Sequence, residues 1–118
     1  MASKIKSNTI TVNYEEYVTD TLVIELTWKD SLGAINDLTS YTGLLEIRSK
    51  KTDTLPLKTY SFPGDLVLGS TSPNISIDIP PSDLSDLGVG TFVYFIKLTE
   101  PSGRINTLVV GSIKIAAP

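Results

Sequence analysis

Neither cysteine nor histidine occurs anywhere in the 118 residues of this chain. Without cysteine there is no disulfide framework and no thiolate to act as nucleophile or metal ligand. Without histidine the commonest general base and the commonest metal ligand are both missing, so a serine–histidine triad cannot be assembled. Long apolar runs are missing as well. Nothing approaches the roughly 20 residues of a membrane span, and the N-terminal MASKIKSNTI lacks the apolar centre of a secretory signal. Positive charge is scarce: 10 Lys and Arg stand against 13 Asp and Glu, for a net charge of −3 and a pI near 4.8. A nucleic-acid binder normally shows a basic stripe. The one locally basic point, Arg48 with Lys50 and Lys51, reads as a solvated turn. These absences set the expectation of a non-enzymatic chain without cofactor or metal, made in a cytoplasm and bound to neither nucleic acid nor membrane.

Charged residues of either sign make up only 19% of the chain, and the mean hydropathy is +0.11. A free monomer usually carries a more charged surface, so association is expected. The length suits one domain, able to bury roughly two-thirds of the surface its unfolded form exposes. Residues 1–8 read as a flexible polar leader and 9–118 as a single folded unit.

Within that unit the dominant signal is alternation, the period of a half-buried strand. TITVNY (9–14), DTLVIELTW (20–28), YTGLLEIRS (41–49) and NISIDIP (74–80) all show it. Weaker strands are expected around 57–62 and 66–68, and EEYVTD reads as a link. PPSDLSDLG suggests one helical turn, capped by Ser82, with Leu84 and Leu87 tucked under the sheets and Gly88 ending it. The densest pattern is GTFVYFIKLT, then EPSGR, then INTLVVGSIKI: two long strands around a Pro-Ser-Gly turn. Its first strand points Phe92, Tyr94, Ile96 and Leu98 inward. On the return, Ile105, Thr107, Val109, Gly111, Ile113 and Ile115 share the inward phase.

About seven short strands with regular turn signals and no long helix predict an all-β fold, an immunoglobulin-like antiparallel β-sandwich. Trp28 belongs to its core. Antibody-type domains place a hydrogen-bonding tyrosine near the start of the penultimate strand; Phe92 stands there, so no such bond is expected. In this architecture the third strand and the last two share a sheet. Leu44, Val93, Phe95, Leu108 and Val110 then project together from its outer face, an apolar patch of the size that marks a protein interface.

Other constellations weigh less. Asp78, Asp83 and Asp86 surround Pro80-Pro81 without the ligand spacing of a calcium loop, so capping and solvation account for them. Glu15, Glu16 and Asp20 have no evident cleft in which to act as paired carboxylates. With Tyr41, Tyr94 and Trp28 in the inward phase, only Tyr17 and Tyr60 remain as ligand contacts in a carbohydrate-binding module, the alternative reading.

The order of motifs resembles a recurrent bacteriophage structural domain, the N-terminal domain of the baseplate upper protein family and small immunoglobulin-like virion proteins. The likeness is carried by a strand followed by a D-x-x-G turn at Asp30–Gly33 and D-L-T-x-Y at Asp37–Tyr41. It continues through the I-x-I-x-I strand, the L-x-x-G-x-G-T-F-x-Y approach to the closing hairpin, and L-x-x-G-x-I-x-I on the last strand. It spans 20–115 and rests on turn and packing motifs. Baseplate proteins of this type are longer, with a C-terminal extension beyond the point where Pro118 stands. The resemblance implies a structural component of a tailed-phage virion, assembled in the bacterial host cytoplasm. Such a component attaches by its faces to other virion proteins in tail, baseplate, neck or capsid surface, in multiple symmetric copies. The sugar-binding alternative would attach the particle to a host glycan.

Overall fold

The computed structural model of the chain describes residues 9–30, 32–50 and 55–118. The 1–8 leader and Lys51 of the basic turn lie outside the described residues. The larger sheet holds Ile10–Thr11 (β1), Tyr14–Tyr17 (β2), Thr42–Arg48 (β4), Lys58–Phe62 (β5), Gly90–Thr99 (β8) and Ile105–Ala116 (β9), and the smaller holds Leu22–Leu26 (β3), Val67–Leu68 (β6) and Ile75–Ile79 (β7). Strand order is β1-β9-β8-β4-β5 in the first, with β2 also on β9, and β3-β7-β6 in the second. The third long strand and the last two do share a sheet, and the two orders are those of an immunoglobulin-like β-sandwich.

Alternation explains most of the interior. Leu22 and Ile24 on β3 lie opposite Ile79 and Ile77 on β7, and Leu45 and Ile47 on β4 opposite Ile96 and Tyr94 on β8. All are buried, and each such side chain contributes about 1.5–3 kcal/mol of hydrophobic stabilisation. Helix α1, Pro81–Leu87, lies between β7 and β8 in the chain; it buries Leu84 completely and Leu87 in part. Its N-cap is Pro80 and no side chain caps it, so Ser82 does not have the capping role expected of it. Pro81 at the first helical position needs no hydrogen bond there. Gly88 ends the helix at φ 86°, donating its N–H to the Leu84 carbonyl at 2.9 Å.

Three departures from simple alternation shape the molecule. First, the N-terminal strand is broken, and it pairs in parallel with β9 rather than antiparallel. Between β1 and β2 the Val12 N–H still reaches the Val110 carbonyl at 3.1 Å, but the next ladder position is taken by a side chain. Asn13 Oδ1 accepts from the Ser112 N–H at 2.9 Å and its hydroxyl at 3.1 Å. Pairing resumes at Tyr14, so EEY (15–17) is strand where the sequence suggested a link. This crossing lies so close to β9 that a Cβ on Gly111 would overlap the Val12 carbonyl. The same carbonyl accepts the Tyr94 hydroxyl at 2.8 Å. Phe92 can make no such bond, but Tyr94, two residues on, ties the penultimate strand to the first.

Second, β9 carries a bulge. Phe95 pairs with Val110 and Ile96 with Val109, yet Lys97 pairs with Thr107, which leaves Leu108 as an extra residue. Leu108 and Val109, though consecutive, are both buried. Beyond the bulge the phase inverts: Asn106, opposite Leu98, is buried, whereas Ile105, opposite Thr99, is 59% exposed. Ile105 and Thr107 therefore do not share the inward phase of Val109. The Asn106 amide donates to Glu100 Oε2 at 2.9 Å, which keeps a polar group tolerable inside.

Third, the segment after β3 is held by one buried amide. Asn74 Oδ1 accepts from the Trp28 N–H at 2.8 Å, and Asn74 Nδ2 donates to the carbonyls of Trp28 and Asn36 at 3.0 and 2.9 Å. Trp28 is only partly buried and meets Tyr41 edge-on at 6.2 Å. The turn inside the segment is local: Asp30 Oδ1 accepts from the N–H groups of Leu32 and Ala34, and Gly33 adopts φ 87°. Replacing Asn74 by alanine strands these buried groups, at a cost of about 2–3 kcal/mol. Limited proteolysis should then nick the 28–36 segment ahead of the rest of the chain.

Candidate docking face

The outward positions of β4, β8 and β9 build an open face of the larger sheet. Register places Leu44 opposite Lys97, Phe95 between Glu46 and Val110, and Val93 between Arg48 and Ser112. Leu44, Val93, Phe95 and Val110 thus lie on one side of the sheet, each half-buried. Val93, Phe95 and Val110 line a shallow depression of about 320 Å³, together with Thr11, Asn13, Arg48 and Ser112.

Leu108 does not belong to this face. The bulge turns it into the sandwich interior, where it is 3% exposed. Strict alternation from Val110 would have put it outside, and the extra residue reverses its direction. Val110 keeps its outward place because it follows the bulge in the chain, on the stretch of β9 that stays in register with β8 from Gly90 to Ile96.

Two cations lean on the centre of the patch. The Arg48 guanidinium stands 4.8 Å and the Lys97 ammonium 5.0 Å from the Phe95 ring centroid. Each such contact is worth about 0.5–1 kcal/mol near a surface, enough to hold the aliphatic stems over the ring and account for its partial cover. Arg48 also donates to Glu46 Oε1 through Nε at 3.1 Å and Nη2 at 2.7 Å. Lys97 has no carboxylate within ion-pair distance among the described residues. Sequence reading put these two side chains outward, grouped Arg48 with Lys50 and Lys51 as a solvated turn and gave Lys97 no role. Arg48 instead stands on β4 against Glu46 and Phe95. A cation flanking an outward aromatic in strand register was the available signal.

Tyr60, one of the two expected ligand contacts, is interior. It is 5% exposed, and its hydroxyl donates to Asp83 Oδ2 at 2.7 Å. Lys58 Nζ lies 3.7 Å from Asp83 and 3.0 Å from Asp86, so β5 is tied to α1 through these groups. Two of the three aspartates around Pro80-Pro81 are thereby accounted for as structural, and no group of three or more metal-ligating side chains occurs among the described residues. Tyr17 is 49% exposed on β2 beside Glu15 and Glu16, with no ring contact among the described residues. One lone ring beside two carboxylates is a poor stacking platform for a sugar. Among the described residues no helix is long and apolar enough to cross a membrane.

The buried phenols give the protein an alkaline limit. Burial, then the Asp83 carboxylate that accepts its hydrogen bond, pushes the Tyr60 phenol well above the ordinary tyrosine range; burial, then neighbouring Tyr14, does the same for Tyr94. A proton held more tightly in the folded state stabilises fully below the unfolded pKa, about 10, and that contribution is lost as pH rises beyond it toward the folded value. Stability measured by urea unfolding should therefore fall above about pH 10. The phenolate absorbance of Tyr60 and Tyr94 should appear together with loss of structure.

No protein-family model matches the chain, and no curated protein matches it in sequence. Among solved structures it is similar to murine CRIg, at 11% identity over 88% of this chain and 92% of that one, with a TM-score of 0.45. It is also similar to extracellular domains 3–5 of Drosophila OTK, at 15% identity over 92% of this chain, with a TM-score of 0.38. The match spans about a third of the OTK chain, 32%. Both likenesses concern the fold alone.

Proposed function

We propose that this chain is a non-enzymatic structural protein of a tailed-phage virion that docks on neighbouring virion proteins through the outer face of β4, β8 and β9. The observation that carries the docking part is the convergence of Leu44, Val93, Phe95 and Val110 on one open sheet face, with charged side chains at their edges. An apolar centre inside a polar rim is the anatomy of a protein interface. The virion part is supported by the order of turn and packing motifs between residues 20 and 115. Docking buries the apolar area, and copies arranged by symmetry sum weak contacts into a stable attachment. The activity is attachment, with no bond made or broken by the chain itself.

The test is incorporation. Particles purified from the phage that encodes this chain should contain it by immunoblot, and the Phe95→Asp protein should remain in the soluble lysate while keeping the wild-type circular dichroism spectrum. A chain absent from wild-type particles removes the virion reading; full incorporation of Phe95→Asp removes the docking face.

A further inference from the structure

The two outer faces of the sandwich differ in charge. On the smaller sheet the outward positions hold Val23, Glu25, Ser76, Asp78 and Val67, with Val23 opposite Asp78, Glu25 opposite Ser76, and Ser76 opposite Val67. Val23 is 47% and Val67 54% exposed. No lysine or arginine stands on β3, β6 or β7. Neither Glu25 nor Asp78 has an ion-pair partner among the described residues. On the larger sheet the balance is reversed. Glu46 offsets Arg48, and Lys97 is left beside Phe95 with no carboxylate of its own.

We infer that the partner of the β4-β8-β9 face is a second copy of this chain, presenting its β3-β7-β6 face. Phe95 and Val93 would lie against Val23 and Val67, and the Lys97 ammonium would face the Glu25 and Asp78 carboxylates. The inference rests on the docking reading above and names its occupant. Like-with-like pairing is opposed by charge: two larger-sheet faces about a two-fold axis bring their Lys97 ammonium groups to one apolar centre, and two smaller-sheet faces gather four carboxylates without a cation. Unlike faces match. Because the two faces lie on opposite sides of the sandwich, the contact is heterologous and each added copy leaves a fresh face open, so the assembly is a ring or an open stack.

The smaller sheet limits the contact. Two strands of five residues and one of two, about 4.8 Å apart with about 3.3 Å per residue, offer roughly 190 Å² per copy, well below the roughly 800 Å² per partner of a standard stable interface. A single contact is therefore weak, and repetition along the assembly makes it useful.

The experiment is sedimentation of the purified full-length chain from micromolar to millimolar concentration, at low and high salt. Wild type should form species that grow past dimers with concentration and shrink with salt. Lys97→Glu and Asp78→Lys should each weaken association at least tenfold, with unfolding midpoints near wild type. Mixing the two single variants, or combining both substitutions in one chain, should restore it. Wild type that stays monomeric at millimolar concentration, or an Asp78→Lys protein that associates like wild type, overturns the inference. A monomeric wild type whose Phe95→Asp form is still lost from particles overturns self-docking and leaves the docking face intact. A chain that stacks but is absent from particles removes the virion reading and leaves self-docking through this face intact.

Discussion

The Gly111→Ala protein should be destabilised by about 3 kcal/mol or more, a loss of roughly 12 °C in midpoint temperature for a domain of this size. At this position an added Cβ meets the Val12 carbonyl, which is backbone, so no side-chain rotation can relieve the overlap. Relief requires the β1–β2 crossing to lift from β9. That would strain the Tyr94 hydroxyl bond to Val12, the Val12 N–H bond to Val110 and the two bonds to Asn13. Losses at one crossing are coupled and do not add independently. Gly69→Ala is the control, since nothing stands within 4 Å of a Cβ built there. Urea unfolding of both variants decides the matter; equal midpoints would mean that the crossing is not clamped at Gly111.

Leu108→Asp and Phe95→Asp should behave in opposite ways, although simple alternation places both residues on one face. Leu108 is enclosed by the core, where an unpaired carboxylate costs about 4 kcal/mol or more. That is a large part of the total stability of a small domain, about 5–15 kcal/mol, so the Leu108→Asp protein should be largely unfolded or insoluble. Phe95 is half-buried on the open side between two cations, where a carboxylate finds partners. Its aspartate variant should keep a native circular dichroism spectrum and lose attachment. A soluble, native Leu108→Asp protein would return Leu108 to the outer face and remove the bulge from the account.

This pair also shows where the sequence was legible. Leu22, Ile24, Leu45, Ile47, Ile75, Ile77 and Ile79 alternate without interruption, and every one is interior. Such regularity sufficed for these strands, for the sheet shared by β4, β8 and β9, and for the outward placement of Leu44, Val93, Phe95 and Val110. A bulge adds one residue with no fixed composition, so INTLVVG reads as well with Ile105 inward as with Ile105 outward. The hydrogen-bonded pairs of β8 and β9 decide between them. The break at Val12-Asn13 was hidden for a similar reason: TITVNY alternates through it, and the close approach that requires Gly111 comes from a segment almost a hundred residues away. Tyr60 was ambiguous because Pro56 and a weak pattern left the phase of its strand open. Its anchor, Asp83, lies on a helix that approaches it only after folding.

The parallel pairing of β1 and β2 with β9 has a mechanical consequence. The chain enters this ladder beside Thr107 and leaves it beside Tyr17, at the far end. Tension applied through the two ends therefore pulls the paired strands past each other along their length. The bonds from Ile10 to Tyr17 carry that load at once instead of parting one by one, and the Tyr94 and Asn13 side-chain ties lie across the same line. Forced rupture is set by the unfolding barrier rather than by equilibrium stability, so this geometry resists stretching more than the modest size of the domain suggests.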